Sequence, residues 1–255
     1  MFHHYEEPFI SGEENEVGSG AIFFTGCNLK CVFCQNEPIS HGNKGEDISI
    51  ERLAEIFKEL EQGGALNINL VTPTHFANQI VQAFKIYRPN IPIVWNSSGY
   101  ETLEMLELIK DYVDIFLVDL KYMDNALALR YSGASTYVQT ATECIKRMKQ
   151  LQPQDVFVNG KMKKGVVVRH LVLPSHTADS LKCLDFIAEH LGNKTYVSIM
   201  SQYEPRYNAS KYAEINRKLT PLEYKRVVSH ALKLNLTNAL VQDLSSADSK
   251  YTPKF

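Results

Sequence analysis

Short apolar runs alternate with amphipathic stretches along most of the chain. The runs are AIFFT (21–25), NINLV (67–71), IPIVW (91–95), IFLV (115–118), VVVRHLVL (166–173) and YVSIM (196–200), and a weaker one, NALV (238–241), follows. Continuous apolar character, rich in β-branched residues, predicts strands buried on both faces. Between the runs the period changes to that of a helix. ISIERLAEIFKELEQGG has apolar residues at 50, 53, 56, 57 and 60 and stops at Gly63-Gly64. HFANQIVQAFKIY, YETLEMLELIKDY and YVQTATECIKRMKQL repeat the pattern. In LTPLEYKRVVSHALKL, Thr220 reads as an N-cap and Pro221 as the first helical residue.

Strand and helix alternate almost throughout, which predicts a parallel sheet with helices outside it. Six or so β/α units imply an open doubly wound sheet or a partial barrel. No Ser/Gly linker or low-complexity tract divides the 255 residues, so a single domain is expected. Residues 1–18 read as an N-terminal arm or cap, 19–241 as the core and 242–255 as a loose tail.

Charge narrows the partners. With 27 basic and 29 acidic residues the formal net charge is −2, which gives no basis for nonspecific nucleic-acid binding. MFHHYEEPFISG lacks the basic and apolar regions of a signal peptide. Apolar runs stop at about nine residues, short of the roughly 20 that span a bilayer. A cytoplasmic protein with no membrane segment is the expectation.

The strand ends carry the polar chemistry. Thr72-Pro73-Thr74-His75 follows the second run, Asn96-Ser97-Ser98-Gly99 the third, and Asp119-Leu120-Lys121 the fourth. Arg169-His170 interrupts the fifth, and Ser201-Gln202 follows the sixth. In parallel α/β folds the carboxyl ends of the strands form the site. Polar loops and helix caps account equally well for Thr74 and Ser98. Asp119 and Lys121 leave an apolar strand two residues apart and so project to one side, as site residues or as a structural ion pair. His75 and His170 stand out from the other histidines only by lying at strand ends.

Five cysteines are too few, and too unevenly placed, for a secreted disulfide framework. Cys144 and Cys183 sit in helical patterns and read as small buried apolar residues. The other three, Cys27, Cys31 and Cys34, crowd into GCNLKCVFCQN after the first run. A disulfide would leave one over. Zinc takes four ligands, which His41 would complete. An iron–sulfur cubane takes four cysteines, so three leave one iron open to a small chelating molecule.

The C-x3-C-x-aromatic-C spacing, with Phe33 as the aromatic, resembles the signature of radical S-adenosylmethionine (radical SAM) enzymes. EEPFISG, GSGAIFFTGCNLKCVFCQN, VTPTH, VDLKY, VRHLVLP and MSQYEP are similar to the branch around the pyruvate formate-lyase activating enzyme, closest to its stand-alone members of unsettled substrate. The likeness runs from about Glu6 to about Gln242. It implies an incomplete (β/α)6 barrel related to the TIM barrel. It also implies a [4Fe–4S] cluster on Cys27, Cys31 and Cys34, and S-adenosylmethionine chelating the fourth iron. The chemistry implied is reductive cleavage of the sulfonium to methionine and a 5′-deoxyadenosyl radical, which abstracts hydrogen from a substrate. Flavodoxin or ferredoxin is the implied electron donor.

The resemblance also assigns residues. Phe33 would lie by the adenine, and Asn36 would bond near the cluster. Asn96 and Ser98 would line the ribose or methionine side. Asp119 and Lys121 match an Asp-x-Lys of the activases near the methionine end. Arg169 would pair with the cofactor carboxylate, and Gln202 would close the last strand end. Many relatives carry a Gly-Gly-Glu after the second strand, which holds the cofactor amino group. Here it is absent, which leaves Thr72 or Thr74 for that contact and argues against assigning pyruvate formate-lyase as substrate. Nor is there a second cysteine cluster. Three functions follow: a radical enzyme for a protein or peptide, a radical enzyme for a small molecule, and a cluster- or zinc-binding module without catalysis. Oligomeric state is left open.

Overall fold

The structure, a computed structural model, describes residues 1–42 and 44–242. Its strands are β1 (Phe2–His3), β2 (Ser19–Phe23), β3 (Ile68–Val71), β4 (Ile93–Ser97), β5 (Ile115–Asp119), β6 (Val156–Val158), β7 (Lys161–Leu171), β8 (Tyr196–Met200) and β9 (Ala239–Val241). The sheet runs β1-β2-β3-β4-β5-β7-β8-β9, with β6 paired to β7. From β2 to β9 every pairing on this path is parallel, while β1 lies antiparallel on β2 and β6 antiparallel on β7. Among the described residues no bond joins the two edges, β1 and β9. The expected incomplete barrel is what forms.

The helices are α1 (Pro8–Ser11), α2 (Glu37–Ser40), α3 (Ile50–Gln62), α4 (Ala77–Ile86), α5 (Leu103–Ile109), α6 (Asn125–Ser132), α7 (Tyr137–Leu151), α8 (Thr177–Phe186) and α9 (Pro221–Lys233). Local chemistry fixes their starts. Ser49 accepts from the Arg52 amide at the head of α3. Thr220 and Glu223 form a reciprocal capping box on α9, with Pro221 in the first turn. Among the described residues, no helix is long and apolar enough to cross a membrane.

The two strand faces bury into different cores. On the outer face Ile68, Leu70, Ile93, Trp95, Phe116 and Val118 pack with helix residues such as Phe57, Ile80, Phe84 and Ile145. Inside the barrel Val94, Ile115, Leu117 and Val167 pack around Ile10 of α1. Both faces are therefore dry toward the strand beginnings, which is why the runs read as continuously apolar.

The arm enters the barrel rather than lying over it. Ile10 is fully buried, and Asn67 Nδ2 donates to its carbonyl across 2.7 Å. Lys161 pairs with Glu16 and ties the arm to β7.

Strand β7 is longer than the run at 166–173 that predicts it. It begins at Lys161 and pairs with β6 through an Asn159-Gly160 turn, whose φ angles are 51° and 75°. Asn-Gly is the residue pair such a left-handed turn needs. Of the tail expected at 242–255, residues 243–255 lie outside the described residues.

Candidate active site

The loop after β2 carries the three clustered cysteines to the carboxyl edge of the sheet. Backbone bonds hold it on both sides. The Lys30 and Val32 amides donate to Ser132 and Tyr131 at the end of α6, each across 2.8 Å. The Asn208 amide donates to the Val32 carbonyl across 2.9 Å. Cys31 Sγ lies 3.0 Å from Ser132 Oγ, and Cys34 Sγ lies 3.1 Å from Ser40 Oγ. The Leu29 amide points at Cys27 Sγ across 3.4 Å. Burial pushes the Cys31 thiol up to about 11 and raises that of Cys34. These sulfurs lose protons readily only to a metal or a nearby positive charge.

A cavity of about 220 Å³ opens above the thiols. Cys27, Cys31, Phe33, Cys34, Asn36, Thr72, Thr74, Asn96, Ser98, Asp119, Lys121, Arg169 and Gln202 all line it. Five strand ends and the cysteine loop thus bring together every residue that the sequence reading assigned to the cluster or the cofactor. Cys144 and Cys183 are buried in the outer core. His75 and His170 do not line the cavity. His170 faces outward, with Nδ1 2.7 Å from the Leu120 carbonyl, and burial lowers it to about 4. His41 turns to Tyr207, ring centroids 5.8 Å apart, and is not among the lining residues. Phe33 meets Tyr203 edge to face at 5.7 Å.

In the same cavity Asp119 gathers two cations. Lys121 Nζ lies 2.6 Å from Oδ2, and Arg169 Nε donates to Oδ1 across 2.9 Å. Arg169 also donates to Asn96 Oδ1 across 2.6 Å. Burial works against the Asp119 carboxylate, but Arg169 and Lys121 outweigh it and hold the group below its ordinary range. Lys121 is raised: burial opposes its charge, and Asp119 more than restores it. Arg169 is raised as well, again against burial, by Asp119, Glu7 and Glu6.

Several residues of this site escape the sequence reading. The Tyr137 hydroxyl of α7 lies 2.9 Å from both the Ser98 and Asp119 carbonyls, which share its one proton, and accepts from the Lys121 amide at 2.9 Å, and so clamps two strand ends. Within its helix it reads as an ordinary apolar position. Glu101 lies buried behind the cavity wall, in a stretch that reads as the start of a helix. From the arm, His3, Tyr5 and Glu6 reach the cavity, and Gln202 Nε2 donates to Glu6 Oε1. Gln202 Oε1 is buried without a partner. Thr72 takes φ 59°, a strained value for a β-branched residue, at the cavity wall.

A family model described as the radical SAM superfamily matches residues 21–187. The chain belongs to the radical SAM superfamily. An uncharacterized protein of Methanocaldococcus jannaschii is 36% identical over 245 residues, which cover 91% of this chain and 68% of that protein. A candidate glycyl-radical enzyme activating enzyme of Haemophilus influenzae is 24% identical over 202 residues, covering 73% and 72%. The crystal structure of Streptococcus suis SuiB bound to S-adenosylmethionine superposes with a TM-score of 0.56 at 14% identity, and so shares the fold. It is matched over 90% of this chain and 48% of its own, so the present chain spans about half the length of SuiB.

A [4Fe–4S] cluster and S-adenosylmethionine are the cofactors of the radical SAM superfamily, and the donor set of this chain fits them. Three thiols face one cavity, two of them against serine hydroxyls that tune sulfur ligands. Among the described residues no group of Cys, His, Asp or Glu converges as on a single ion. A four-iron cluster holds its thiolates further apart than one ion does.

Proposed function

We propose that this radical SAM enzyme cleaves S-adenosylmethionine reductively to abstract hydrogen from a protein or peptide. One observation carries the reading. The three thiols and the polar strand ends line a single cavity. Cys27, Cys31 and Cys34 would hold the cluster and leave one iron for the amino and carboxylate groups of S-adenosylmethionine. When bound, the two cofactors supply the reductive cleavage of the sulfonium and the 5′-deoxyadenosyl radical that takes the hydrogen atom.

The chain's own residues bind, orient and exclude water. Phe33 suits the adenine, and Asn96 and Ser98 suit the ribose or methionine side. Asn36 sits beside the cluster loop. Lys121 and Arg169 share one carboxylate and keep a surplus positive charge toward the cavity, which suits the methionine carboxylate. Thr72 and Thr74 line the wall after β3. Gln202, tied to Glu6, closes the last strand end against the arm. Flavodoxin or ferredoxin remains the proposed electron donor, and the cytoplasm the proposed location.

A small-molecule substrate is the second reading. The observation in its favour is the Glu6–Gln202 bridge, which with Tyr5 and His3 narrows the cavity on the arm side. The relative from Haemophilus influenzae supports the first reading by its description as an activating enzyme.

Transfer of label separates the two. A fully deuterated cell extract, split into macromolecular and small-molecule fractions, is added to the cluster-loaded enzyme with S-adenosylmethionine and reductant. Deuterium in 5′-deoxyadenosine from the macromolecular fraction supports a protein or peptide. Label from the small-molecule fraction alone overturns that in favour of the second reading.

A further inference from the structure

The cavity wall after β3 has a buried carboxylate directly behind it. Thr74 Oγ1 lies 2.8 Å from Glu101 Oε1, and Trp95 Nε1 lies 2.8 Å from the same oxygen. Trp95 is fully buried and Glu101 nearly so. An indole N–H only donates, so Oε1 accepts from it. The Thr74 hydroxyl therefore also gives its proton to Oε1. Glu101 Oε2 is buried without a hydrogen-bond partner, so Oε1 carries both of these bonds.

This fixes the polarity of the wall. With its proton committed inward, Thr74 Oγ1 presents only lone pairs to the cavity that it lines. The cavity's other acidic groups are already engaged. Asp119 holds Lys121 and Arg169, and Glu6 accepts from Gln202. An acceptor backed by a buried carboxylate suits a positively charged N–H donor rather than an anion.

We propose that Glu101 is a positioning residue that orients Thr74 as an acceptor for the α-ammonium group of S-adenosylmethionine. The assignment rests on the reading that this cavity binds S-adenosylmethionine. It divides the cofactor's charges, with the ammonium at Thr74 and the carboxylate at Lys121 and Arg169. It also gives a function to a glutamate that lies outside the cavity. Burial raises the Glu101 carboxyl against the pull of Trp95, Thr74 and the nearby Ser97 hydroxyl. Oε1 remains an acceptor in either protonation state, so Thr74 keeps its orientation.

The test measures dissociation constants by anaerobic calorimetry on the full-length, cluster-loaded enzyme. The probes are S-adenosylmethionine and its analogue lacking the α-amino group. Thr74→Val and Glu101→Leu, which removes the acceptor behind Thr74, are expected to weaken S-adenosylmethionine about ten- to a hundred-fold, the loss of one charge-assisted hydrogen bond. Thr74→Ser is expected to bind as the wild type does. The amine-free analogue is expected to bind all four proteins alike. Melting temperatures identify any variant that fails to fold, and Glu101→Ala replaces Glu101→Leu if the latter does so. Equal loss for both probes, or no loss for either, overturns the assignment. A wild type that binds no S-adenosylmethionine overturns the underlying reading as well, and is a distinct result.

Discussion

Arg169 Nε donates to Asp119 Oδ1 across 2.9 Å, while the other oxygen of the same carboxylate, Oδ2, meets Lys121 Nζ at 2.6 Å. One anion thus holds two cations, and these three side chains together carry a surplus positive charge that Glu6 and Glu7 partly offset at Arg169. All three side chains are largely buried, so that charge is poorly screened. The Asp119–Lys121 spacing turns out to be an ion pair, and the pair faces the cavity.

Lys121→Met removes the surplus charge and leaves the Asp119–Arg169 pair intact. Affinity for S-adenosylmethionine is expected to fall about tenfold or more, from the loss of one charged contact. The ultraviolet–visible spectrum of the cluster is expected to stay unchanged, because Lys121 is not a ligand. Calorimetric titration of the cluster-loaded variant checks this. Unchanged affinity would reduce Lys121 to a structural partner of Asp119.

Glu7 is a buried cost inside the barrel. Its carboxyl is pushed up to about 7, first by burial and then by the charge of Glu6, against the pull of Arg169. A carboxyl raised on folding binds its proton more tightly in the native state. Stability therefore falls as pH rises from the unfolded value of 4.5 to about 7, and levels off above that. Glu7→Gln is expected to abolish this fall and to stabilise the protein by up to about 3 kcal/mol at alkaline pH. Melting curves between acid and alkaline pH test it. A difference between variant and wild type that does not grow with pH would contradict it.

Gly99 sits directly behind the Asp119 backbone. Its φ is +73°, and an added Cβ would meet the Asp119 carbonyl oxygen at 3.0 Å and Val118 Cγ2 at 3.2 Å. Gly99→Ala combines left-handed strain, about 1–2 kcal/mol, with pressure on the strand end that carries Asp119. A melting temperature lower by several degrees and weaker S-adenosylmethionine binding are expected together. A lower melting temperature with full affinity would mean that the Asp119 loop is not held through Gly99.

Much of the frame is readable from the residues. Runs such as IFLV, buried on both faces, specify parallel strands, and Thr220-Pro221 marks the start of α9 where the structure has it. The cysteine spacing and the polar residues after each run locate the cavity because a parallel barrel puts all its carboxyl ends on one edge. Contacts that depend on packing between distant elements are not readable. Tyr137 and Glu101 lie in helical patterns where nothing marks a hydroxyl or carboxylate that turns inward. Ile10 enters the barrel from a segment too short to show a period. The β6–β7 hairpin is a different case, because Asn159-Gly160 announces it in the sequence.

The most direct test of the central claim is the yield of 5′-deoxyadenosine from the protein reconstituted anaerobically with iron and sulfide, reduced with dithionite and given S-adenosylmethionine. The account predicts 5′-deoxyadenosine and methionine from the wild type and neither from Cys34→Ala. A wild type that holds its full complement of iron and sulfide, forms no 5′-deoxyadenosine and shows no change in its electron paramagnetic resonance spectrum on adding S-adenosylmethionine would contradict it.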